Sequence, residues 1–243
     1  GRLIAGVLVD FISWQSATYI IGFLNLIIAC LFYFLLPKSQ HFKPYPFRFS
    51  RFKDAFEQNL KDSKLRILFA QGFILMGCLV TVFNYISYHL LEAPFHLSQA
   101  WIGVISIAYL AGIYSSPKAA QWGFKYGRDK VLPMMLMTMM IGLWFTLLPS
   151  LWSILIGLII FAFSFFAAHS TASSWVSVQA VQYRAVASSL YLFCYYIGSS
   201  LLGSFGGLVW EQFGWIGINL SVSVVLVIGL VSALYLGKLQ RSA

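Results

Sequence analysis

Acidic side chains are scarce in this chain, seven Asp and Glu among 243 residues, and charges of both signs make up only 9% of it. A soluble domain carries roughly a quarter charged residues, so a water-facing surface of ordinary extent is excluded. Cysteine is sparse too. Cys30, Cys78 and Cys194 are odd in number and show no CxxC or Cys/His spacing, which points to small apolar packing residues rather than a disulfide or a metal site. The four His stand apart, and no HExxH, paired acids or nucleophile motif lies within an apolar run. Neither an enzyme nor a cofactor is therefore expected.

Hydrophobic residues, at 60% with 18% aromatic, fill the space that charge leaves. No Lys or Arg occurs in 67–117, 131–183 or 185–237. Apolar runs fall near 15–36, 67–90, 101–117, 131–149, 153–173, 187–209 and 215–237, long enough to cross a hydrocarbon core of about 30 Å. Residues 1–10 read as the end of one more helix. The chain opens at Gly1 without a basic leader, so it reads as truncated at its N-terminus rather than as carrying a signal peptide.

Orientation follows from the cations, which stay on the cytoplasmic side during insertion. Residues 37–66 carry eight (Lys38, Lys43, Arg48, Arg51, Lys53, Lys61, Lys64, Arg66), and 118–130 carry four (Lys118, Lys125, Arg128, Lys130). Arg184, Lys238 and Arg241 fall on the same side, whereas Asp10, Glu92 and Glu211 fall on the other. A cytoplasmic C-terminus is expected. Trp14, Trp101, Trp152, Trp210 and Trp215 all sit at outer span ends, as interface aromatics do. The net charge of +9 is accounted for by topology and anionic lipid, without nucleic acid.

A shift of 201 residues lays GVLVDFISW (6–14) on GLVWEQFGW (207–215), pairing Gly6 with Gly207, Asp10 with Glu211 and Trp14 with Trp215. Copies in one orientation need an even number of crossings between them, and six spans lie between. Parallel six-helix repeats build one large transporter fold. With this repeat, the long basic connection 37–66 and the loop KAAQWGFKYGRDKVL (118–132), the chain resembles the major facilitator superfamily from its fifth helix to its twelfth. Lys125, Gly127, Arg128 and Lys130 match the superfamily's basic signature between helices eight and nine, while Phe124 stands where aspartate is usual. YRAVASSLYLFCYYIGSSLLGSFGG (183–207) resembles the eleventh helix of bacterial drug and sugar efflux permeases. GRLIAG (1–6) resembles the fifth-helix antiporter motif GPxxGG, with Arg2 at its proline and Ala5 at a glycine, a departure that bears on proton antiport.

The resemblance implies an all-α membrane bundle, about seven complete transmembrane helices plus the end of an eighth, as a fragment of a twelve-helix fold. It divides the chain into 1–36 (two helices of the N-terminal half), 37–66 (the inter-half loop) and 67–243 (the C-terminal six-helix half). The function implied is secondary active efflux of a small molecule across the bacterial inner membrane, with protons as a candidate coupling ion. A non-functional truncated transporter, or a seven-helix receptor, is the alternative. A retinal protein would need a Schiff-base lysine in its last helix, and 215–237 has none.

Transport needs a polar chamber near the midplane. Asn84, Tyr85, Tyr88 and His89 share one helix face, and Asn84 and Tyr88 are candidates for substrate contact, with interhelical packing as the other reading. Tyr191, Tyr195 and Ser199 form an i, i+4, i+8 stripe, of which the two tyrosines are candidates on the same footing. Ser199, Gly203 and Gly207, four residues apart, suit close helix approach. His169 with Ser170, Thr171, Ser173 and Ser174 reads first as a wetted helix end and second as a proton relay. Lys125, Gly127 and Arg128 are candidates for a cytoplasmic gate. Arg2 lies eight residues before Asp10, about 12 Å inward at 1.5 Å per residue; a cation at that depth faces protein or water, pairing structurally or meeting a substrate anion or the coupling carboxylate.

The cation pattern predicts that a Lys53→Cys variant of a cysteine-free background resists an impermeant thiol reagent applied to intact cells, while His96→Cys is labelled. The opposite pattern would invert the topology.

Overall fold

Among the residues described by a computed structural model, 8–9, 11–37 and 49–241, every regular element is helical. Inside hydrocarbon the backbone must satisfy its own N–H and C=O groups, and within a single segment only a helix does so. The first, α1 (Trp14–Leu35), is capped by the Ser13 hydroxyl, which accepts the Ser16 N–H at 3.3 Å. Thr18 and Asn25 donate back to the carbonyls of Trp14 and Ile21, so α1 spends its polar groups on itself. Ala17 is its one buried residue. The expected end of a preceding helix falls mostly outside the described residues.

Then follow α2 (Phe49–Lys61), α3 (Ser63–Leu91), α4 (Gln99–Ile105), a 3₁₀ stretch Ser106–Leu110, α5 (Ala111–Tyr126), α6 (Arg128–Phe145), α7 (Leu151–Gln179) and α8 (Arg184–Arg241). Five segments are long and apolar enough to cross a membrane: α1, α3, the run Gln99–Tyr126, α7 and α8. The 58-residue α8 is two passes, because Gly214 breaks it at φ 56°, ψ −148°. The sixth helix opens on Arg128, Asp129 and Lys130 and runs 18 residues beside α7, completing the seven expected crossings.

Two boundaries differ from the sequence expectation. The connection 37–66 includes a helix: α2 buries Ala55 and Asn59, four residues apart, and pairs Lys53 with Glu57 at 3.8 Å on its exposed side. The third span passes Pro117 and stops only at Gly127, whose φ of 92° suits glycine, before α6 starts at once. Asp62 ties the first of these connections to the end of α7. Its Oδ1 accepts the N–H groups of Lys64 and Leu65, capping α3, and its Oδ2 accepts Gln179 Nε2 at 2.9 Å from the end of α7.

The core centres on α3, held between the arms 184–213 and 215–241 of α8. Going up one side, Gly72 lies against Tyr191, Gly198 against the Phe73 backbone, and Gly206 against Tyr85. Coming down the other, His89 stacks on Trp215 at 5.5 Å, and Gln71 Nε2 donates to Gly229 O and Ser232 Oγ, each at 2.8 Å. The arms are therefore antiparallel, with Gly214 as their hairpin. The tightest approach falls at Gly198, where a Cβ would collide with the Phe73 carbonyl, rather than at Ser199, Gly203 and Gly207; at Gly203 and Gly207 the nearest atoms are side chains 3.3 and 3.2 Å away. On the opposite flank, Gly142 of α6 and Gly157 of α7 meet backbone to backbone.

Gly214 has open space around a hypothetical Cβ, so any penalty of Gly214→Ala comes from the backbone alone. Such glycine-favouring geometry costs about 1–3 kcal/mol for other residues. Gly214→Ala should lower the melting temperature in detergent, whereas Gly22→Ala, equally uncrowded but inside a helix where Ala is the better former, should not lower it.

Candidate functional site

Two regions gather polar side chains, and the first of them encloses space. The first is a cavity of about 490 Å³ at the end of α3 remote from the basic loops. Asn84, Tyr85, Ser87 and Tyr88 supply one wall, and Gln99, Ile102, Gly103 and Ser106 supply the other. Val9 also lines it. The wall on α3 is stiff: Tyr85 donates from its hydroxyl to Gly203 O at 2.8 Å and stacks on Trp210 at 6.1 Å. Tyr88 packs on the same Trp210 at 6.0 Å, yet stays half exposed. His89, the fourth residue of that sequence cluster, turns away to Trp215 and Phe95.

The second region lies deeper. Tyr191 is buried, with its hydroxyl 3.0 Å from His169 Nδ1. The His169 ring stacks on Phe165 at 5.9 Å and lies tilted against Tyr195 at 4.8 Å. His169 is ten residues short of the end of α7 at Gln179, about 15 Å at 1.5 Å per residue, so it is not a wetted helix end. It belongs to a ring cluster inside the bundle, partly open on one side. A string of aromatic contacts joins the two regions: Phe83 of the cavity wall stacks on Tyr109 at 4.5 Å, Tyr109 meets Phe166 edge-on, and Phe166 meets Phe165. The levels of Phe83 and Gly72 on α3 differ by eleven residues, about 16 Å.

At the basic end, Arg128 Nε donates to Ser174 Oγ at 3.3 Å, and Lys125 Nζ lies 5.1 Å from the Tyr126 ring. Gly127 is the positive-φ link between α5 and α6. The ion pair formed here joins residues the sequence did not single out together: Arg241 Nη2 meets Asp129 Oδ2 at 2.7 Å, tying α6 to the chain end. Phe124, at the position usual for aspartate, is 93% exposed.

The structure thus brings Asn84 and Tyr88 together in one cavity and Tyr191 and Tyr195 together around His169. Ser199 bonds locally to Tyr196 O instead. Arg2 lies outside the described residues, as do Gly6 and Asp10 of the repeat. Where both copies are described they differ: Trp14 is mostly exposed, but Trp215 is buried and donates its indole N–H to Thr146 O at 3.0 Å. Gln99 and Ser106 went unnoticed in the sequence. Their i, i+7 spacing, on the face shared with Gly103, was the available signal.

The sequence profile of the Major Facilitator Superfamily matches residues 1–203. The chain is 46% identical over 230 residues to the inner membrane transport protein YnfM of Escherichia coli (strain K12), covering 95% of this chain and 55% of that protein. It is 44% identical over 238 residues to an uncharacterized transporter of Buchnera aphidicola subsp. Schizaphis graminum, covering 98% and 58%. It is 38% identical over 238 residues to the uncharacterized MFS-type transporter YybF of Bacillus subtilis (strain 168), covering 98% and 59%. The chain therefore spans a little over half the length of these relatives.

Because Tyr191 is buried with its hydroxyl on His169, Tyr191→Phe deletes that bond without opening a void. A loss of about 1 kcal/mol is expected, read as a lower melting temperature in detergent; an unchanged value would mean that the bond carries no weight.

Proposed function

The chain belongs to the Major Facilitator Superfamily, and from that premise we propose that it forms part of a secondary active transporter exporting a small molecule across the bacterial inner membrane by alternating access. The observation that carries this reading is the 490 Å³ cavity, whose walls are two separate helices bearing Asn84, Tyr88, Gln99 and Ser106. Amide and hydroxyl groups facing a space of molecular size can fix a ligand's orientation, and the tyrosine rings supply contact area. Such walls can also separate, because α4 and α3 join only through the short connection 92–98.

Coupling to protons is assigned to the deeper region. His169 is a titratable ring within an intramembrane helix, held by Tyr191 and covered by Tyr195; such a group marks function more often than structure. Tyr191 acts through His169, and Tyr195 covers the ring face that an occupant of the path would meet. Arg2, placed by sequence alone, is assigned to the coupling carboxylate. Lys125, Gly127 and Arg128 form a gate at the basic end, where Arg128 holds Ser174 in one state and releases it in the other. A ligand-driven change of this kind requires different contacts in the two states.

In the intact protein, Asn84→Ala and Tyr88→Ala should slow efflux of a panel of fluorescent dyes from energised cells at least tenfold, with normal amounts in the membrane. Wild-type efflux by both would remove the cavity from the path. His169→Gln should abolish the response of efflux to a pH gradient and keep substrate exchange at zero gradient. A retained response would remove His169 from coupling.

A further inference from the structure

The stretch 99–108, made of α4 and the first residues of the 3₁₀ turn after it, has different surroundings on its two sides. Gln99, Ile102, Gly103 and Ser106 face the cavity already described. On the opposite side, Trp101, Val104, Ile107 and Ala108 face a second hollow, of about 670 Å³, closed by Leu151, Leu155 and other residues of α7. Every residue lining that hollow is aliphatic or tryptophan. Trp101 and Trp152 flank it, 62% and 75% exposed, as interface aromatics at a bilayer surface would be. Ile105 borders both spaces. The stretch 99–108, α4 with the start of the 3₁₀ turn that follows it, thus separates a chamber of mixed polar and apolar lining from a wholly apolar groove.

The hinge for this partition is present as well. Between α4 and α5 the helix tightens to 3₁₀ over Ser106–Leu110, and a 3₁₀ stretch inside a longer helix often marks a functional hinge. No described residue lining either space is charged. The polar wall offers amides and hydroxyls, which suit an uncharged head, and the groove offers only apolar surface, which suits a hydrocarbon tail.

The geometry points to α4 as a lateral gate and to a nonionic amphiphile as the substrate class: the head bonds in the chamber among Asn84, Ser87 and Gln99, and the tail passes Ile105 into the groove and the bilayer. This rests on the cavity being the substrate chamber. The amphiphile leaves, or enters, sideways through a gap that opens when α4 swings about Ser106–Leu110. The occupant is the tail of the same molecule whose head the chamber holds, because the two spaces meet at a single side chain.

Two measurements on the intact protein test this, each on a cysteine-free background. Ser87→Cys reports the chamber: decyl glucoside below its micellar concentration should protect it from a sulfonated maleimide at least fivefold better than octyl glucoside, and free glucose should not protect. Equal protection by all three would overturn the amphiphile. Single cysteines at 102, 105 and 107 report the gate, with the sulfonated maleimide supplied in water on both sides and an N-alkyl maleimide supplied in the bilayer. Ile102→Cys should react with the aqueous reagent, Ile107→Cys with the bilayer reagent, and Ile105→Cys with both. Reaction of Ile105→Cys with only one reagent would mean a sealed wall, with the groove filled by annular lipid. Normal dye efflux by Asn84→Ala and Tyr88→Ala would instead defeat the chamber itself, so the two failures are distinguishable.

Discussion

Hydrocarbon gives two helices no hydrophobic reason to touch, since lipid tails are as apolar as leucine, so association depends on close backbone approach and on interhelical hydrogen bonds. Gly198 seated on the Phe73 carbonyl is where this constraint is met most tightly. That contact sets the height of the first arm of α8 along α3. It places Tyr191 at the level of Gly72, where its hydroxyl reaches His169, and Gly203 at the level of Tyr85. A bulkier residue at 198 would displace both the deep cluster and the chamber wall.

Most hydroxyls in the spans are spent within their own helices. Thr81, Ser87, Thr138 and Thr171 each donate to the carbonyl four residues back. Among the hydrogen bonds between helices, four fall at separate levels of the bundle: Gln71 to the second arm, Tyr85 to the first, Trp144 Nε1 to Ser223, and His169 to Tyr191. The first three stiffen the bundle. The last belongs to a ring that stays partly open.

The number and order of spans were legible because charge is excluded from hydrocarbon, and the cations mark the gaps between runs. Boundaries were less legible. The third run ended at 117 because Lys118 follows, yet helix persists to Tyr126; Phe49–Lys61 read as part of a basic connection because of its cations, and its burial rests on two small or polar residues, Ala55 and Asn59. At the site, the spacing of Asn84 and Tyr88 already placed them on one face. His169 read first as part of a wetted end because serines follow it, whereas the helix runs on to Gln179 and the ring meets Tyr191, 22 residues on. Asp129–Arg241 joins positions 112 residues apart, which no local pattern could pair.

The central claim is that the chamber between α3 and α4 opens in turn to both sides of the membrane. Ser106, on the chamber wall at the start of the 3₁₀ stretch, reports on it most directly. With Ser106→Cys as the single cysteine of the intact protein, an impermeant thiol reagent applied to right-side-out and to inside-out vesicles should modify it from either face. Modification from one face alone would contradict alternating access at this site.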